Sequence, residues 1–242
     1  MGHAIVAGGK PDMAAPVTDI LASDLAVGSV VKLMENGVAT EYLVVNHGKP
    51  SGSSLYDDSC DGTWLLRKDV YGNRQLNSTD NNSYGNSTMH TYLNGTFYNM
   101  FGSTEKSVIK QVKIPYVNIA GGTNAVYGEN GLSTKVFLLS CSENGSKTNS
   151  SDFPENEGAV LDYFIGADNS KRIAYYNGSI ADWWTRSPSP NGAPSTAYSW
   201  AIIKTGAAFS GVCFTAHGFR PSIVILNNSV FSSGILTLKG VS

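Results

Sequence analysis

Charge is scarce in this chain of 242 residues. Only 15% of it is Asp, Glu, Lys or Arg, the formal net charge is −2, and no basic run or stripe occurs. That excludes the electrostatic footprint of a nucleic-acid binder or of a protein drawn to an anionic membrane surface. No apolar run approaches the ~20 residues of a membrane-spanning helix, and the first residues carry neither a basic region nor a long apolar one, so no signal peptide is read. Cysteines are few, Cys60, Cys141 and Cys213. Their odd number and wide spacing rule out a fully paired disulfide framework and a C-x-x-C zinc site, though one bridge stays open. The phosphate-binding, zinc-protease, serine-hydrolase and dinucleotide signatures are all missing. His3, His47, His90 and His217 each stand alone. Cys213 and His217 could be imagined as nucleophile and base, but on one extended strand they sit ~13 Å apart. No cofactor and no metal is expected. Asp57 to Gly62 looks like the start of an EF-hand loop, yet Lys68 falls where the bidentate glutamate belongs, so it reads as an acidic turn.

What fills the chain instead is Gly (26 residues) with Asn, Ser and Thr, a composition of many turns and short strands. Residues 1–26 read as a flexible leader rich in Ala, Gly and Pro, and 27–242 as one domain. Asn36-Gly37 between two apolar stretches predicts a β-hairpin, and Trp64 to Leu66 a buried strand. Ser87 predicts an N-cap for an amphipathic helix over Thr88 to Phe101, with a shorter helix over Ser103 to Lys110 and a strand over Val112 to Ile114. The continuous apolar run Val136 to Leu139 predicts a strand buried on both faces, and Glu157 to Phe164 a short helix capped by Asn156. The tail, Phe231 to Leu238, predicts a last hairpin around Ser233-Gly234.

The stretch Ala181 to Leu226 organises the rest. Dense sequence, Trp183 to Pro188 and Phe219 to Leu226, encloses a middle of small, weakly patterned residues. Period-2 reading gives strands with Tyr198, Trp200 and Ile202 on one face, a turn at Lys204 to Ala207, and a return over Phe209 to Thr215. Of Trp183 and Trp184, one should be buried and the other semi-exposed, with Arg186 or Arg220 covering an indole. Such an arrangement, fixed rails around a permissive middle, is the anatomy of a binding face.

The order of Asp61 to Leu66 (DGTWLL), Leu93 to Phe97 (LNGTF), Val112 to Tyr116 (VKIPY), Lys135 to Ser140 (KVFLLS), Trp183 to Pro188 (WWTRSP) and Gly218 to Pro221 (GFRP) resembles bacterial and phage proteins of C-type-lectin-like fold. These are the variable proteins of diversity-generating retroelements, which often end in WWLRSP and GVRPA. Thr185, Phe219 and Ser222 depart from that pattern. The resemblance implies an α+β fold of short antiparallel and mixed sheets with two to three helices. It further implies a diversified segment between the end motifs, and Ser189 to Ser199 and Ala207 to Arg220 contain none of the Lys, Met, Gln, Glu or Trp that adenine mutagenesis of Asn codons cannot produce. The expected function is ligand or receptor binding without catalysis, on a virion tail tip or a cell surface, toward a protein or glycan of a target cell, with a homo-oligomer possible. The expected contacts are Ser189, Pro190, Asn191, Pro194, Thr196, Tyr198, Ala208, Phe209, Ser210, Val212, Phe214, Thr215 and His217. Two alternatives stay open, an oxidoreductase resembling formylglycine-generating enzymes, and a structural virion subunit. The calcium-binding motifs of sugar-binding C-type lectins are absent.

Overall fold

The computed structural model describes residues 18–50 and 53–242. Residues 1–17, most of the expected leader, lie outside the described residues. Strand β1 (Asp19–Leu21) already belongs to the fold, pairing with β15 (Ser229–Ser232) near the other end of the chain. β2 (Val30–Glu35) and β3 (Val38–His47) form the hairpin expected at Asn36-Gly37, where both turn residues take positive φ, 49° and 78°. That left-handed geometry is the one Asn and Gly adopt at least strain. Burial alternates along β2, with Val31 and Leu33 fully covered. β4 (Thr63–Arg67) pairs with β3 and carries Trp64, whose ring meets Tyr56 and Phe137 edge-on at 5.7 and 5.5 Å.

After β5 (Asn73–Gln75), Ser87 caps α1 as its composition predicts, accepting from the His90 N–H at 3.0 Å. The helix is α over Thr88–Tyr92, widens to a π turn over Leu93–Phe97 and tightens to 3-10 over Tyr98–Met100. Its apolar stripe, Met89, Leu93, Phe97 and the following Phe101, enters the core. α2 (Ser103–Val108) is followed by β6 (Val112–Ile114), which pairs with β7 (Leu132–Thr134).

Two expectations fail in the next segment. Val136 to Leu139 is fully buried, yet it forms no regular strand; only Phe137 bridges to Ser222. Side chains satisfy its backbone instead, Asn94 at Val136, the Tyr84 hydroxyl at Leu138 and the Arg186 guanidinium at the Leu138 carbonyl. Burial was legible there, but ladder pairing depends on which partner arrives. Glu157 to Phe164 is likewise no helix beyond a 3-10 turn at Asp162–Phe164, because Asn156 has φ 59° and Glu157 is drawn into a buried ionic network.

β8 (Ala174–Tyr176) and β9 (Ser179–Ala181) form a hairpin through Asn177-Gly178. β10 (Trp183–Pro188), β11 (Tyr198–Ile202), β12 (Ala208–Val212) and β13 (Ala216–Gly218) then join β5 in one sheet of order β12-β11-β10-β13-β5, with β10 and β13 parallel. β14 (Ser222–Ile225) returns to the first sheet, of order β14-β4-β3-β2, and β16 (Leu238–Val241) closes the expected tail hairpin with β15. The whole is a mixed, sheet-rich fold with few helices, consistent with an α+β or mostly-β class. One main core, including Trp64, Phe97, Phe137, Trp184 and Phe219, lies among these layers.

Candidate recognition surface

β10 is buried along its whole length. Trp183 stands beside Ile202 and Trp184 beside Ala201, so the two indoles point to opposite faces. Neither is exposed, contrary to the expectation of one semi-exposed ring. A small cluster of Val70, Ala174 and Ile202 covers Trp183, while Trp184 enters the main core. Each indole N–H finds a carbonyl, that of Arg172 at 2.9 Å and that of Arg74 at 3.0 Å. Arg220 does cover an indole, its guanidinium 5.0 Å from the Trp183 ring, while its Nε and Nη2 bind the Arg67 and Lys68 carbonyls. Burial pushes its proton affinity down, to a pKa of about 10.

Arg186 does something else. It is fully buried and forms a two-pronged ion pair with Glu143 at 2.5 and 2.7 Å, adding bonds to the Pro115 and Leu138 carbonyls. Burial alone would lower its pKa, but the adjoining Glu143 carboxylate holds it above the usual value. The hydroxyls of Tyr56 and Ser187 bind Glu143 and Glu157, the second acid of the network. Glu157 is buried, its Oε1 has no partner among the described residues, and burial raises its pKa to about 7 against the pull of Arg186. Neither glutamate was visible as a site residue, since Glu143 reads as polar loop and Glu157 as the start of a short helix; the one available signal was an arginine inside an apolar strand, which needs a counter-ion.

Past Pro188 the chain leaves this rail and forms the first expected contact segment. Ser189 is buried, correcting its assignment as a contact: its N–H donates to the Tyr198 carbonyl, and its Oγ accepts from the Asn191 N–H at 3.2 Å and lies 2.8 Å from Ser210 Oγ. It ties the loop to β12. Gly192 lies against the Tyr198 ring so closely that a β-carbon there would stand 2.0 Å from it. The loop's base is held by Asn82, a residue that no motif or periodicity singles out. Its buried carboxamide donates to the Ser195 and Tyr198 carbonyls and accepts from the Gly121 N–H, at 2.9, 2.6 and 2.8 Å.

The second segment runs along β12, an edge of the five-stranded sheet. The register pairs Tyr198 with Val212, Trp200 with Ser210 and Ala201 with Phe209. Tyr198, Ser210 and Val212 therefore share a face with Trp200, whereas Phe209 points to the Trp184 side at the sheet's rim. Cys213 turns inward, and Phe214 and Thr215 emerge on a turn closed by the Thr215 N–H on the Val212 carbonyl and by the Gln75 side chain on the Phe214 carbonyl. Asn191, Pro194, Phe209, Phe214 and Thr215 are exposed, the two phenylalanines to 50% and 43%; Pro190, Thr196, Tyr198, Ala208, Ser210, Val212 and His217 are half-buried.

His217 stands apart. Its ring meets Trp184 edge-on at 4.6 Å and its Nδ1 is 3.8 Å from Asp182 Oδ2, at the wall of a cavity of about 280 Å³ that Tyr176 and Lys204 also line. Burial lowers its pKa, with Asp182 opposing. It is not bonded to Cys213, whose thiol donates to the Thr79 carbonyl at 3.2 Å. All three cysteines are free and buried. Burial raises the pKa of Cys60 to about 12 and that of Cys141 to about 11, so both are neutral thiols near pH 7. Among the described residues no group of three or more His, Cys, Asp or Glu is placed to hold a metal ion, and no helix is long and apolar enough to cross a membrane.

A family model spans the chain from β4 through β14 and so includes every strand of the sheet that carries this surface. Residues 61–226 match the family described as a domain of unknown function, DUF6273, and the chain belongs to it. No curated protein and no solved structure matches the chain.

Proposed function

We propose that this chain is a non-enzymatic recognition module of C-type-lectin-like fold, which presents residues 190–198 and 208–217 to a protein or glycan on a target cell. The observation that carries this reading is the convergence of the two segments. They are separated in sequence by buried β11, yet Ser189, Asn191 and Ser210 bond to one another and Tyr198 stands beside Val212. Together they form one rim of small polar residues with the exposed rings of Phe209 and Phe214 beside it. Aromatic anchors set among small residues are a common composition of adaptable contact surfaces. The rails on either side are fixed by buried arginines, which separates what must stay constant from what can vary.

Diversification of the two segments by a retroelement, and display on a virion or cell surface, belong to the same proposal. The test is an exchange of 190–198 and 208–217 for the segments of another DUF6273 member, keeping Gly192 and Ser210 for their contacts with Tyr198 and Ser189. Panning the original and exchanged chains over one panel of bacterial cells should show altered cell choice with an unchanged melting temperature. Unfolding of the exchanged chain, or identical cell choice, refutes the reading.

A further inference from the structure

A second cavity, of about 410 Å³, lies beneath the β11–β12 hairpin on the face opposite the Trp184 side. Its walls carry Trp200, Phe153, Lys147, Thr148 and Arg172. Trp200 and Phe153 stack with centroids 4.3 Å apart and planes inclined by 16°, and the indole N–H is tied to the Asp152 carbonyl, so the pair forms a rigid, largely buried block at the side of the cavity. Arg172 is 5% exposed, yet every group it binds is neutral: the carbonyls of Gly206, Gly145 and Asn144 at 2.8, 3.2 and 3.4 Å, and the side-chain oxygen of Asn169. A guanidinium has five N–H donors, which leaves one uncommitted. Lys147 donates to the Pro154 carbonyl at 2.8 Å and keeps further N–H groups free.

Neither cation forms an ion pair among the described residues. The Asp168 carboxylate, which acts on Arg172 from a distance, is engaged by the N–H and hydroxyl of Ser170. Arg172 thus differs from Arg186, the buried arginine that has its carboxylate. A buried cation without a counter-ion is an unfavourable arrangement, and an anion entering this cavity relieves it through charge-assisted hydrogen bonds.

We propose that the cavity binds an acidic monosaccharide, its carboxylate held by Lys147 and Arg172 and its ring seated beside the rigid Trp200–Phe153 pair. The volume is at the small end of ligand pockets, suited to one sugar ring, and the hydroxyls of Ser146 and Thr148 are placed on the same lining for ring oxygens. This goes beyond the recognition reading, because Lys147, Phe153 and Arg172 lie outside both contact segments and the segment exchange leaves them in place.

The experiment is a titration of the intact chain with sodium glucuronate and sodium galacturonate at constant ionic strength, read by calorimetry and by tryptophan fluorescence, with glucose as the neutral control. Saturable binding of at least one uronate is expected, with glucose weaker by about tenfold or more. Lys147→Glu changes an exposed side chain, so it should keep the melting temperature while weakening uronate binding by about tenfold. Arg172→Lys retains the charge but not the fork, and its affinity should fall between the two. The proposal is overturned if neither uronate binds saturably, if glucose binds equally well, or if Lys147→Glu binds uronate as the original chain does.

Discussion

β10 and the β11–β12 edge are neighbours in one sheet, built by opposite means. β10 hides six consecutive side chains and anchors them with an arginine that reaches three carbonyls and a carboxylate. The edge buries Ser199 to Ile202 of β11 but only Gly211 of β12, leaving Phe209 exposed and the other β12 side chains half-buried, and it is held by backbone bonds and by Asn82 from outside the segment. Such a division permits surface substitution without loss of the scaffold, since the atoms that fix the edge's shape are mostly not the side chains it displays.

The contrast is tested most severely at Arg186. Arg186→Met strands Glu143 in the core without its counter-ion and should destabilise the chain by about 3–5 kcal/mol, measured by urea denaturation; a loss under about 1 kcal/mol would mean that β10 is not the rail described. Glu157 tests the same network through pH. Its folded pKa of about 7 lies above its ordinary value of 4.5, so the stability linked to its neutral form is complete below about pH 4.5 and is lost as pH rises through 7. Glu157→Gln should remove that decline, making the variant more stable than the original chain above pH 7 by on the order of 3 kcal/mol. Parallel stability curves from pH 5 to 8 would contradict the assignment.

On the edge, Asn82→Ala removes the clamp and should cost about 1–3 kcal/mol by taking the partner from the Ser195 carbonyl and the Gly121 N–H. Hydrogen exchange should accelerate over residues 189–198 and stay unchanged in β10; equal acceleration in both would show the two regions to be one cooperative unit. The smallest effect on stability belongs to Phe209→Ser and Phe214→Ser, within about 0.5 kcal/mol of the original. These are the variants expected to weaken cell binding most, so the order of effects on binding should invert the order on stability.

Much of the local structure was legible. The Asn36-Gly37 hairpin, the Ser87 cap, the Lys204 to Ala207 turn and the tail hairpin each rest on turn or cap chemistry that acts within a few residues. The contact segments read as permissive sequence between rails; of the thirteen residues named, five are exposed, seven are half-buried and Ser189 is buried. Ser189 was not legible as a buried tie, because only the arrival of Ser210 from β12 gives its hydroxyl a partner. Val136 to Leu139 was read as a strand because an apolar run reports burial and not pairing.

By itself the sequence determined periodicity, turns and the paired end motifs, all of which follow from steric and solvation preferences of neighbouring residues. Tertiary structure alone decided which buried arginine received a carboxylate. Arg186 met Glu143 and Arg172 met only carbonyls, because charge pairing depends on residues far apart in the chain reaching within about 4 Å of each other.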